Sequence, residues 1–292
     1  MPAFLSVAEI DLPASVYVAR HGRVEREFSL VTQDSGNVSW IVEAPEGRLF
    51  IKTAGTDAPP RPGAPTPYFD HSGRVRLLRN AIDLARSCDH AALPALLNVI
   101  ESPTGPMLVY RAAPGELIGV LATPGIPRAE LRADPASAYQ RFANLPAAAQ
   151  LPIFDTLIDL HRVLAGLGWV ACDLYDGCLI VDFDTLTLHV IDLDSYRRGP
   201  SRNDMGRMFG SRRFMAPEEF ELGAPLDQRT TVFTLGRLVR HFTTRLTEDV
   251  EYFDGPAELA AVVARAVEPA QEDRFPTVAA FASAWQSARA GA

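Results

Sequence analysis

The sequence predicts an α+β chain in two parts, a strand-rich stretch to about residue 112 and a larger helical stretch after it. Three observations carry that expectation. Before Pro114-Gly115, short apolar or alternating runs separated by turn residues dominate; beyond it, apolar residues recur at helical spacing. The Pro-Gly pair is a strong break between the two patterns. The stretch DAPPRPGAPTP (57–67) is too proline-rich for strand or helix and reads as a mobile connection.

Residues 1–25 show no assignable pattern and read as an N-terminal extension, followed by a smaller part over 26–112 and a larger part over 113–292. SLVTQDSGNVSWIVEA and GRLFIKTA read as strands of a meander, the turn between them at Pro45-Glu46-Gly47. RVRLLRNAIDLARSC sets Val75, Leu78, Ile82 and Ala85 on one helical stripe. ALLNVIES and PMLVYRA form two further strands about Thr104-Gly105, and 121–150 reads as an inserted helical excursion. Phe154, Leu157, Ile158, His161 and Leu164 line a helix closed by Gly166 and Gly168, with His161 read as a hydrogen-bonded core histidine. CLIVDF and LTLHVI make a hairpin around Asp184-Thr185. Val232, Leu235, Val239 and Phe242 mark another helix, and Thr277 caps a last one carrying Val278, Phe281 and Trp285.

The balance of 36 acidic against 28 basic side chains gives a formal charge of −8, which argues against a nonspecific nucleic-acid binder. Three cysteines fit no disulfide framework and suit a reducing interior; none stands in a CxxC or CxxH spacing. No apolar run is long enough for a membrane span, and Glu9 and Asp11 stand where a signal peptide would be apolar. A cytoplasmic protein is expected.

Two features point to chemistry. Among the 28 basic side chains Lys52 is the only lysine, so this position keeps a compact ammonium where the rest of the chain uses guanidinium. In GWVACDLYDGCLIVDF and VIDLDSY, apolar runs give way to Asp173, Asp176, Asp192 and Asp194. Carboxylates beside buried strands are costly unless they bind or cap something.

These segments, in this order, resemble the protein kinases. GRLFIKTA resembles the VAIK strand, MLVYRAAPGEL the hinge segment, and WVACDLYDGCLIVD the catalytic loop HRDLKxxNIL. VIDLDSY resembles the DFG segment, and GSRRFMAPEEF is similar to the GTxxYMAPE segment of serine/threonine kinases. LDQRTTVFTLGRL resembles the helix that follows, and EDRFPTVAAF the arginine-bearing motif near the kinase C-terminus. The resemblance covers roughly residues 26–288. It implies a bilobal fold, with a small strand-rich N-terminal lobe holding one helix and a larger helical C-terminal lobe.

It also implies ATP with Mg²⁺ or Mn²⁺ as cofactors and phosphoryl transfer to a hydroxyl. Lys52 would hold the ATP phosphates, Asp173 would accept the proton of the acceptor hydroxyl, and Asp192 would bind the metal. Gly36 and Val38 would belong to the loop over the phosphates, the backbone of Arg111 and Ala113 would pair with adenine beside Tyr110, and Glu116 would reach the ribose. Glu218 and Arg274 would form a buried ion pair, and Ser211 matches the threonine that contacts the catalytic aspartate. A protein substrate is the first expectation. A small-molecule phosphotransferase is the alternative, and a catalytically silent nucleotide-binding protein is the third reading.

The departures are specific. TQDSGNV keeps one glycine where the family has several, and Asn80 stands near the expected glutamate partner of Lys52, with Asp83 one turn on. The histidine and arginine before the catalytic aspartate are Ala171 and Cys172, and the lysine after it is Tyr175. Cys178 replaces the asparagine that binds a second metal, and a thiol is a poor ligand for Mg²⁺, so Asp176 or Asp194 is expected to substitute. The family's aspartate in the next helix is Thr231. Arg197, Arg198, Arg202, Arg207, Arg212 and Arg213 form either a solvated basic face or a dock for an acidic or phosphorylated substrate.

Overall fold

Why the N-terminal half folds as a sheet with two buried faces is set by alternation along its strands. A computed structural model describes residues 3–30, 32, 35–57 and 66–291. The described chain is α+β and divides into two compact units: Met1–Pro114 with Leu121–Leu131, and Gly115–Val120 with Arg132–Ala292.

In the first unit, helix α1 (Ala14–His21) leads into strand β1 (Arg23–Phe28), followed by β2 (Val38–Ala44), β3 (Gly47–Thr53), helix α2 (His71–Ser87), β4 (Leu96–Ser102) and β5 (Gly105–Arg111). The five strands form one antiparallel sheet in the order β1-β2-β3-β5-β4. Successive side chains point to opposite faces. One face packs Trp40, Val42, Leu49, Ile51, Met107 and Val109 against Phe4, Ala14, Tyr17 and Val18. The other packs Ala54 and Leu108 against Leu78, Ala81 and Ile82 of α2. Asp70 caps α2 by accepting the Gly73 N–H at 2.7 Å.

Residues 3–25 are therefore no appendage. Phe4 and α1 supply one whole side of the core, Asn98 Nδ2 donates to the carbonyls of Phe4 and Val7 (2.9 and 2.8 Å), and β1 begins three residues before residue 26. Helix α1, which carries the buried stripe of Ala14, Tyr17 and Val18, is only eight residues long, too short for a periodicity window to register. The Pro-rich connection at 58–65, and Gln33 and Asp34 of the β1–β2 connection, lie outside the described residues.

The second unit opens with β6 (Glu116–Leu117). Helix α3 (Arg128–Ala133) crosses the division of the chain, and α4 (Ala138–Ala143) and α5 (Ala147–Gly166) follow. Then come β7 (Trp169–Val170), β8 (Leu179–Asp182), β9 (Thr187–Val190), β10 (Arg197–Arg198), β11 (Ser201–Arg202) and β12 (Pro225–Leu226). Helices α6 (Gln228–Thr243), α7 (Ala257–Ala266) and α8 (Val278–Ala290) complete the unit. Phe154, Leu157, Leu235, Phe242, Val263, Phe281 and Trp285 are buried. Asp227 caps α6 and Thr277 caps α8. His161 is a satisfied core group: Nδ1 meets the Leu157 carbonyl and Nε2 the Tyr196 hydroxyl, each at 2.7 Å. The β6-β8-β9 sheet carries the loops that hold the aspartates.

Candidate active site

The β8–β9 hairpin determines which carboxylates meet. Its register pairs Leu179 with Val190 and Asp182 with Thr187, and the Ile191 N–H donates to the Cys178 carbonyl at 2.8 Å. Asp182 Oδ1 accepts the N–H groups of Asp184 and Thr185 in the turn, which holds its pKa below the usual carboxylate value. Cys178 and Asp192 thus leave the same end of the hairpin. The Cys178 thiol donates to the Asp173 carbonyl at 3.3 Å, drawing the preceding loop to that end. From below, Thr231 Oγ1 of α6 accepts the buried Ala171 N–H at 2.9 Å. A neutral hydroxyl thus anchors this loop where the family resemblance implies a carboxylate.

Asp173 (φ 62°) and Asp192 (φ 65°) are both in the left-handed region, as are only four other non-glycine residues among those described. Asparagine and aspartate enter that region more readily than most residues, yet two such positions facing one end of a hairpin mark backbone held by its surroundings. Their charges reach common neighbours. The Tyr175 hydroxyl is pushed up by burial first and then by Cys178, Asp173, Asp192 and Asp176. The Cys178 thiol is driven well above its usual value by burial, with Asp173 and Asp192 adding to it. It is a neutral donor and no hard metal ligand.

The segment ahead of α6 returns to this place. Gly210 adopts φ +120°, and a Cβ there would stand 3.5 Å from Asp173 Oδ1 and 3.2 Å from Met215 Cγ, so the bare backbone lies along the aspartate carboxylate. Ser211 follows directly, half-buried, its carbonyl accepting the N–H groups of Phe214 and Met215. Downstream, Arg274 grips Glu218 through both guanidinium nitrogens (2.8 and 3.1 Å), with Arg274 1% and Glu218 6% exposed. The Thr230 hydroxyl donates to the same Glu218 oxygen at 2.8 Å. Asp194 is buried and Asp192 exposed.

Asp176 is not offered to a metal. It is 2% exposed, and its Oδ2 pairs with Arg213 Nη2 at 2.7 Å, because the segment after Gly210 passes directly over it. The arginine cluster likewise dissolves into separate contacts. Arg197 pairs with Asp204, Arg198 lies over the Trp169 ring and donates to the Leu167 carbonyl, and Arg202 donates to the Gly223 carbonyl. Arg207 donates to the Gly210 carbonyl, leaving Arg212 exposed. Glu116 is held by Arg141 at 2.7 Å on the surface, an ion pair that competes with any ribose contact.

In the first unit, Lys52 is 8% exposed on β3, directly between Ser39 and Leu108 of its neighbours, on the sheet face that α2 covers. Tyr110 shares that face. Val38 does not. It pairs with Thr53 and packs with the core under α1, so the residue opposite Lys52 is the buried Ser39. A single step along a strand reverses the face, and the short connection before β2 hid this register. Gly36 (φ +78°) is packed rather than open on its Cβ side, where the Pro67 ring would be 2.5 Å from an added Cβ. The Arg111 N–H donates to the Ala95 carbonyl at 3.0 Å, so at that residue only the carbonyl is left to pair with a base. Ala113 is half-buried, two residues beyond the end of β5.

Sequence reasoning missed two groups: Arg213 as the partner of Asp176, and the buried Glu219, whose Oε2 accepts the Ala216 N–H at 2.7 Å and whose charge reaches Cys172. Among the described residues no group of three or more His, Cys, Asp or Glu side chains is placed to hold a metal ion. The chain matches no protein-family model and no curated protein.

Proposed function

We propose that the chain is an ATP-dependent phosphotransferase of protein-kinase-like bilobal build, moving the γ-phosphoryl group to a hydroxyl of a protein substrate. The observation that carries this reading is the pairing of Asp173 and Asp192. Both are left-handed, both are delivered to one end of the β8–β9 hairpin, and the Gly210 backbone runs along the Asp173 carboxylate. Strained acids gathered in this way are a mark of functional sites.

In this reading Asp173 orients the acceptor hydroxyl and takes its proton as the oxygen attacks phosphorus. Lys52 places a point charge on the phosphates, with Tyr110 on the same sheet face and the Arg111 carbonyl and Ala113 backbone on the base. Mg²⁺ or Mn²⁺, when bound, supplies charge neutralisation at the phosphates. Asp192 has the hard oxygen it requires, Asp194 is the remaining acid on that strand end, and Cys178 does not fit. Glu218 and Arg274 brace the segment that carries Ser211. A cytoplasmic location suits this nucleotide chemistry, and no helix among the described residues is long and apolar enough to cross a membrane.

One observation favours a second reading, nucleotide binding without transfer: the neutral Cys178 thiol fills the place where a second metal ligand is expected. Incubating the purified protein with γ-labelled ATP and Mg²⁺ or Mn²⁺, alone and with cell extract, decides between them. Label on protein supports the proposal and label on small molecules moves the acceptor class. ATP binding with no label transferred favours the second reading.

A further inference from the structure

Around the C-terminal end of α6, two arginines and a histidine converge on one carboxylate, with a third arginine beside the histidine. Glu248 Oε1 lies 2.5 Å from His241 Nδ1, and Oε2 lies 2.9 Å from Arg237 Nη1 and 3.9 Å from Arg240 Nε. Arg240 also donates to the Glu248 carbonyl from Nε and Nη2 at 3.0 and 2.5 Å. Arg213 closes the group. Its Nη1 donates to Tyr139 Oη at 3.0 Å and stands 3.3 Å from His241 Nε2, while its carbonyl accepts from Arg237 Nε at 2.9 Å. Tyr139 Oη is 2.6 Å from His241 Nε2. These contacts fit one direction of donation, from Arg213 to Tyr139, from Tyr139 to His241 Nε2, and from His241 Nδ1 to Glu248.

Three observations mark Glu248 as an occupant of this pocket rather than one of its walls. Arg245, Leu246 and Glu248 have φ of 52°, 68° and 64°, so three of the six left-handed non-glycine residues among those described fall within four positions of the loop that delivers it. Backbone strain of this kind is held at ligand clamps and switch segments. Oε2 is buried and within ion-pair distance of Arg237, yet it receives no aligned hydrogen bond. Glu218, by contrast, meets Arg274 through two aligned bonds without such a loop. Counting Arg213, Arg237 and Arg240 against Glu248 and Asp176 leaves one formal positive charge uncompensated, before any charge on His241. The three arginine side chains are each about a quarter exposed and open to solvent (26%, 23% and 27%).

We propose that this pocket is a recognition site for an oxyanion carried on a peptide, a phosphorylated side chain in particular, and that Glu248 is its internal, displaceable occupant. A phosphoryl group presents three acceptor oxygens and up to two charges, enough to meet Arg237, Arg240 and His241 at once. A carboxylate has two oxygens, and here one of them goes without an aligned donor. Arginine forks match such groups well. Because Arg213 also holds Asp176, three residues after Asp173, a ligand in the pocket acts on the loop that carries the proposed base.

The assignment does not depend on phosphoryl transfer, so binding is measured without nucleotide. Glu248→Gln empties the charge while keeping the loop. Calorimetric titration with a phosphoserine peptide, its aspartate counterpart, its unmodified form and inorganic phosphate should show tighter phosphopeptide binding than in the wild type. The gain should be at least about fivefold, the low end of ordinary coupling between competing ligands. Adding Arg237→Ala to Glu248→Gln should abolish the gain, whereas adding Arg212→Ala should leave it unchanged. Equal affinity of wild type and Glu248→Gln, or a gain that survives Arg237→Ala, overturns the proposal. Equal response to inorganic phosphate would assign the site to the free anion instead of a peptide. If Glu248→Gln fails to fold, the wild-type chain titrated with the phosphopeptide should show shifted His241 ring resonances, and unshifted resonances refute the site.

Discussion

Replacing Glu219 by glutamine is expected to make the protein's stability less sensitive to a rise in pH between 4.5 and about 8. The Glu219 side chain is 2% exposed, and burial pushes its carboxyl from the usual 4.5 up to about 8. The Ala216 N–H and Arg274 pull the other way, and the Glu218 charge adds to the rise. The folded state therefore binds a proton that the unfolded state has released between these two values. By linkage, this group costs nothing below pH 4.5, its penalty grows as pH rises from 4.5 to about 8, and it is constant above. A rise of this size corresponds to roughly 4–5 kcal/mol at full ionisation, at about 1.4 kcal/mol per tenfold change in proton affinity. That is a large share of a typical folding free energy.

Glutamine keeps an acceptor for the Ala216 N–H and cannot ionise. Urea unfolding of wild type and Glu219→Gln, followed by the fluorescence of Trp169 and Trp285, should show little difference near about pH 5. The variant should gain on the wild type by roughly 2–3 kcal/mol from about pH 5.5 to about pH 7.5. Using the difference between the two proteins cancels the titration of every group that does not interact with Glu219. A stability difference that does not change with pH refutes the buried, proton-holding carboxyl.

Other outcomes follow from the same structure. Lys52→Arg should abolish or gravely weaken phosphoryl transfer with the melting temperature nearly unchanged, read by initial rates and calorimetry; equal turnover removes Lys52 from the mechanism. Glu218→Ala and Arg274→Ala should each destabilise the fold by roughly 3–5 kcal/mol, and the double variant by less than their sum. Strict additivity in a denaturation cycle would count against the pair as a coupled unit. Asp192→Asn should eliminate metal-dependent nucleotide binding and Asp194→Asn weaken it, while Cys178→Ser and Asp176→Asn leave it largely intact. A Mg²⁺ titration of ATP affinity in which only Cys178→Ser responds would reverse that assignment of ligands. Thr231→Val, which removes the acceptor of the buried Ala171 N–H, should cost roughly 1–3 kcal/mol; unchanged stability would mean that N–H finds another partner.

What the sequence determined by itself is what local pattern encodes. The β3 strand bearing Lys52, the Asp184-Thr185 hairpin with an aspartate beyond each outer end, and the cap at Thr277 are all settled within a few residues of chain. Periodicity of 2 and 3.6 and the chemistry of turns carry that much. Tertiary structure decided the rest, because it depends on partners far apart in sequence. Val38 and Ser39 differ by one step, and only their pairing with β3 shows that Ser39 shares the Lys52 face. Asp176 has the sequence context of a metal ligand, and only the return of Arg213, 37 residues on, makes it half of an ion pair. The first 25 residues look patternless because their short apolar stripe acquires meaning only against the sheet it covers. Tyr139, Arg213, His241 and Glu248 are likewise scattered over more than 100 residues, since Tyr139 and His241 alone are 102 apart. No spacing rule joins them; the packing of α4, α6 and two loops does, because a buried polar group takes the partner that folding places beside it.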